Sequence, residues 1–139
     1  MKRRKQAWLL CVLLLAAMFL SGYFSPQKRI GRYVDAHLET LEQDMHNYFA
    51  LEQPLRYDEG ILHVNHWSGT HHMVEYILST GGGRYCGFYY SPDDVPLAFQ
   101  NTPCALRQDG AVWSWSADGD NRGATGRIRA QWFWFEARF

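Results

Sequence analysis

The sequence predicts an α+β domain behind an amino-terminal transmembrane helix, with one amphipathic helix packed on an antiparallel meander of about five strands. Three observations predict it. An apolar run covers residues 7–20 directly after a basic flank. A stripe of apolar residues at steps of three and four then runs from Ile30 to Phe49. Beyond residue 60 the apolar residues alternate instead, which is the period of a strand. The 139 residues suffice for one domain, divided into residues 1–29 (flank, anchor and linker) and 30–139 (folded body).

The apolar run follows Lys2, Arg3, Arg4 and Lys5 and extends through Phe24 with only Ser21 and Gly22 as interruptions. Counted from Ala7, that is 18 residues, the short end of what crosses a hydrocarbon core of about 30 Å. Trp8 at one end and Tyr23 and Phe24 at the other suit the aromatic belts of a bilayer. A cleavage site needs small residues at two positions one apart, and here Phe19 and Leu20 occupy the earlier position. The segment therefore reads as a retained signal anchor, with a cleaved signal peptide as the alternative. Positive charge at its leading flank places the amino terminus in the cytoplasm and the body outside the cell membrane.

Fourteen basic and fourteen acidic side chains cancel over the whole chain. Six of the basic ones lie in residues 1–29, which leaves eight against fourteen, a net of −6, on the body. An acidic body argues against nucleic acid as a partner, because phosphate neutralisation needs clustered Lys and Arg. The body holds two cysteines, Cys86 and Cys104, enclosing 17 residues. In an oxidising compartment a disulfide closing that loop is worth about 3 kcal/mol. Two buried free thiols are the alternative.

Ser25-Pro26 marks a helix start, with serine as cap and proline in the first turn. Ile30, Val34, Leu38, Leu41, Met45 and Tyr48/Phe49 form the stripe, and Pro54 ends it. The bland expectation packs this stripe on the sheet. The alternative is a homodimer, or association with an envelope complex, through helix 30–51, since Val34, Leu38, Leu41, Met45 and Tyr48 also fit a heptad seam. Strands are expected at residues 60–66, 71–80, 85–90, 111–117 and 131–139. Residues 91–108, with two early prolines, and residues 118–126, polar and glycine-rich, read as loops.

Three groups of residues are candidates for a site. If the first hairpin is centred on Ser68-Gly69, His66 faces His71 across the strands and the two could ligate Zn²⁺ or Cu²⁺, although a tight site wants a third ligand. The run Asp118-Gly119-Asp120-Asn121-Arg122-Gly123 opens like a calcium loop. Arg122 and Arg129 then stand where oxygen ligands belong, so an ordinary turn explains it better. Trp113 and Trp115 share one strand face, as do Trp132 and Trp134. Either residues 91–108 cover the sheet face the helix leaves open, or these tryptophans form a platform for stacking on a sugar or peptide. No nucleophile elbow, His-Glu-x-x-His or phosphate loop is present, so neither catalysis nor a cofactor is expected.

The runs Gly87-Phe-Tyr-Tyr-Ser-Pro-Asp-Asp-Val-Pro, Gly119-Asp-Asn and Trp134-Phe-Glu-Ala-Arg-Phe139 resemble segments of small, uncharacterised membrane-anchored extracytoplasmic proteins of gut Firmicutes. The resemblance implies a position outside the membrane and no activity. The expectation is thus a non-catalytic binding or interaction module at the cell envelope, held by the lipid bilayer, with an envelope protein or glycan as ligand.

Overall fold

The computed structural model describes the backbone of residues 2–23, 25–56 and 58–139, and the side chains of residues 8–18, 25–56 and 58–139. Two helices, α1 (Lys2–Tyr23) and α2 (Pro26–Leu51), precede seven strands. These are β1 (His63–Ser68), β2 (His72–Gly81), β3 (Arg84–Tyr90), β4 (Arg107–Asp109), β5 (Val112–Ser116), β6 (Arg122–Arg129) and β7 (Trp132–Arg138). All pair antiparallel in the order β1-β2-β3-β7-β6-β5-β4. The α+β class is as expected, but the sheet has seven strands rather than five and is not one meander. Two meanders, β1-β2-β3 and β4-β5-β6-β7, meet where β7 inserts beside β3.

Along α1 the side chains described are apolar and exposed, with Trp8 at 76%, Leu9 at 67% and Leu13 at 60%. Among the described residues no helix is long and apolar enough to cross a membrane. The described apolar stretch, residues 8–18, is by itself about half a hydrocarbon core in length. The expected flank Lys2–Lys5, the cleavage-site positions Phe19–Gly22 and the belt residues Tyr23 and Phe24 lie outside the described side chains.

Helix α2 begins as its sequence dictates. Ser25 Oγ accepts from the Lys28 N–H at 3.4 Å, and Pro26 occupies the first turn, where its missing N–H costs nothing. Glu52 ends the helix in the left-handed region, φ 54°, donating its N–H to the Asn47 carbonyl. Ile30, Val34, Leu41 and Met45 are buried against Val64, Val74, Tyr76, Phe88 and Trp132 on one face of the sheet. The residues that would form a coiled-coil seam are therefore packed on the sheet.

The opposite face carries Met73, Ile77, Tyr89, Phe133, Phe135 and Ala137. The long connection from β3 to β4 covers it with Val95, Leu97, Ala98, Phe99, Cys104 and Leu106. Hydrogen bonds pin that connection at three places. Leu97 N–H donates to the buried Tyr89 hydroxyl at 2.8 Å, which lies 2.8 Å from Thr125 Oγ1, and Thr125 donates in turn to the Trp134 carbonyl. Gln100, with left-handed φ 55°, donates its N–H to the fully buried Glu75 at 2.9 Å. Asp94 Oδ1 accepts from Arg127 Nη1 and from the Gln131 N–H, the latter at 2.6 Å. These bonds hold the Asp94 carboxyl below its usual range. The result is three layers: helix, sheet and strapped connection.

The polar, glycine-rich run 118–126 reads as loop in the sequence, yet its last five residues open strand β6. Its glycines serve a different purpose. A Cβ on Gly123 would come within 2.5 Å of the Trp115 ring, and one on Gly126 within 2.5 Å of Trp134 Nε1. Each glycine lies directly opposite its tryptophan across the pairing. The indoles lie over bare backbone, and that packing replaces the side-chain contacts the strand lacks.

Candidate functional site

The histidine hairpin forms, in a different register. His63 pairs with Ile77 and Ser68 with His72, so the turn is centred on Thr70 rather than Ser68-Gly69. An odd shift in register exchanges faces. His72 therefore joins His66, with His66 Nε2 and His72 Nδ1 3.0 Å apart, while His71 turns away and bonds Asp93 Oδ2 at 2.7 Å. The expected His66/His71 pair is not assembled. Tyr48 OH lies 2.6 Å from His66 Nδ1, and His72 Nδ1 meets His66 Nε2 on the other side of the ring. Both nitrogens of His66 are thus engaged within the protein. Burial, and then the neighbouring His72, push its pKa down. Glu75 projects into the opposite core, where Trp67 Nε1 (3.3 Å) and the Gln100 N–H hold it. Burial raises its pKa against those bonds. Among the described residues no group of three or more His, Cys, Asp or Glu is placed to hold a metal ion.

The expected disulfide is corrected. Cys86 and Cys104 are both free. Cys86 packs on the helix side of the sheet and Cys104 on the connection side, so the sheet separates them. Burial, and then Glu136, push the Cys86 thiol up, and burial raises Cys104. The tryptophans form no common platform. Trp115 and Trp132 are buried, Trp113 leans half-buried on Phe133, and Trp134 covers Gly126 from the other face. Residues 117–121 form a tight turn, closed by Ala117 N–H to the Asn121 carbonyl at 2.8 Å, and Arg122 and Gly123 already belong to β6.

The register assembles a site that the sequence reading did not contain. On the helix side of the sheet, Arg84 of β3 lies opposite Arg138 of β7, which lies opposite Arg122 of β6, opposite Ser116 of β5. The next row reads Cys86, Glu136, Ala124, Ser114 and Arg107 across β3, β7, β6, β5 and β4. Helix α2 covers β3 and β7 and leaves β4, β5 and the beginning of β6 open. The small side chains of Ala105, Ser114, Ser116 and Ala124 make the floor of a bowl of about 490 Å³, and Arg107, Arg122 and Arg138 make its rim.

All four arginines are exposed, and among the described residues none has a carboxylate within ion-pair distance. The carboxylate in the bowl, Glu136, accepts from Gln27 Nε2 at 2.8 Å. Like charges directly opposite on paired strands destabilise a sheet, so three arginines in one row carry a cost that a bound anion would relieve. Their guanidinium forks match carboxylate or phosphate oxygens in pairs. The signal was out of reach in the sequence because the arginines are 15 or more positions apart and only the pairing aligns them.

No protein family, no curated protein and no solved structure matches the chain.

Proposed function

We propose that the chain is a single-pass, membrane-tethered binding module without catalytic activity, whose open sheet face takes an anionic ligand in the arginine bowl. The observation that carries the reading is the Arg84–Arg138–Arg122 row, three unneutralised charges on a body that is acidic overall. Tethering is supported by the exposed apolar side chains of α1, which water would disfavour at about 25 cal/mol per Å². The leading flank of four basic residues supports an outward-facing body at the cell envelope. A non-catalytic role is supported by the bowl's chemistry. Its floor is alanine and serine, and Ser114 Oγ donates to the Arg107 carbonyl rather than to a base.

The test is calorimetric titration of the full chain, in an uncharged detergent at low salt, with sodium tripolyphosphate. Saturable binding that weakens as salt rises is expected. Hydrogen bonds to charged groups are worth about 1.5–3 kcal/mol each, so the R122Q/R138Q double variant binds at least about tenfold more weakly. Absence of saturable heat, or equal affinity in the variant, would overturn the reading.

A further inference from the structure

We infer that the occupant of the arginine bowl is the anionic phospholipid headgroup surface of the bilayer that α1 enters. The inference rests on the tethered reading above and names the ligand class for it. Its basis is the bowl's position. Only two residues separate the end of α1 at Tyr23 from the start of α2 at Pro26. The first turn of α2 is fixed to the bowl by the Gln27–Glu136 hydrogen bond. The bowl therefore sits where the chain leaves α1.

The arginines also stand at one end of the sheet. Arg84 begins β3, Arg122 begins β6, Arg107 begins β4 and Arg138 ends β7. Four of the five successive strands β3-β7-β6-β5-β4 thus bring a guanidinium to the same end of the sheet, where Lys28 and Arg29 stand on the opening turns of α2. Acidic side chains at this end include Glu136, Asp118 and Asp120 of the turn between β5 and β6, and Glu59 of the segment before β1, whose carbonyl accepts from the Tyr33 hydroxyl. A broad, shallow basic face beside a membrane-bound segment fits a plane of phosphodiesters better than one enclosed anion. Basic residues this close to an anionic leaflet each strengthen association about fivefold.

The experiment is hydrogen exchange of the full chain in lipid nanodiscs, comparing neutral phosphatidylcholine with discs containing phosphatidylglycerol. Slower exchange at residues 81–87, 118–124 and 136–139 in the anionic discs, by about threefold or more, is expected, and raising NaCl removes the difference. The variant R84Q/R122Q/R138Q shows no dependence on lipid charge. All three side chains are exposed, so its folding is checked by melting in neutral discs, and the salt dependence of the wild type stands without it. Equal exchange in both disc types would overturn the inference while leaving the tether intact. Slowing in neutral discs by millimolar glycerol 3-phosphate, equal to that seen in anionic discs, would also overturn it, by assigning the bowl to free phosphate. A chain that enters neither disc would overturn the tethered reading itself.

Discussion

Glu75 shows how one buried side chain can hold a fold and set its response to pH. Its carboxylate takes the Gln100 and Trp67 donors and so ties β2 to the connection that covers the sheet. Burial nevertheless favours the protonated acid, and its pKa in the fold lies above the ordinary 4.5. The folded state therefore binds a proton that the unfolded chain still lacks, so Glu75 contributes stability at low pH that is lost as pH rises through its raised value. Asp44, also raised by burial, acts in the same direction. His66 acts in the opposite one: its lowered pKa contributes stability above about 6.5 that is lost on acidification. Comparing wild type with Glu75→Gln isolates the first effect. As pH falls through the raised value toward 4.5, the melting temperature of the wild type gains on that of the variant, and parallel profiles would contradict the assignment.

At the scale of elements, β6 shows which rules the sequence obeys and which only the fold reveals. Helix α2 was legible to the residue at its start because a serine cap, a following proline and a stripe of period 3.6 are local signals. The alternation in β7 was equally legible, with Phe133, Phe135 and Ala137 facing one core and Trp132 and Trp134 the other. In β6 the local signals point to loop. What makes it a strand is two tryptophans on neighbouring strands that need bare backbone beneath them. Long-range packing overrides propensity there. The histidine pairing failed for a related reason: a three-residue error in the pairing register moved His72 onto the face expected for His71. The disulfide failed because sequence separation is silent about which face of a sheet each cysteine takes. Gly126→Ala tests the packing argument. Its methyl group would press on Trp134 and cost about 1–3 kcal/mol by urea unfolding, whereas a change under about 0.5 kcal/mol would refute it.

For the whole molecule, the fold divides the labour between the two sides of the sheet. The connection of residues 91–106 closes one side completely, so that Phe133, Phe135 and Tyr89 are sealed from water. On the other side α2 spans β1, β2, β3 and β7 and meets the end of β6 at Ile128 and Arg129, but it stops short of β4, β5 and the beginning of β6, and the arginine bowl occupies the uncovered part. A body with a net charge of −6 thus presents its basic surface at one place, beside the helix that links it to α1. The proposed tether and the proposed ligand site are separable in experiment, because the first depends on the apolar surface of α1 and the second on the charge of the bowl.

The most direct measurement is flotation of the full chain with uncharged phosphatidylcholine vesicles in 1 M NaCl, where arginine–phosphate attraction is screened to about 3 Å. The account predicts that the protein floats with the vesicles, and that Leu13→Lys together with Leu14→Lys leaves it at the bottom of the gradient. A wild-type chain that stays at the bottom would contradict the account.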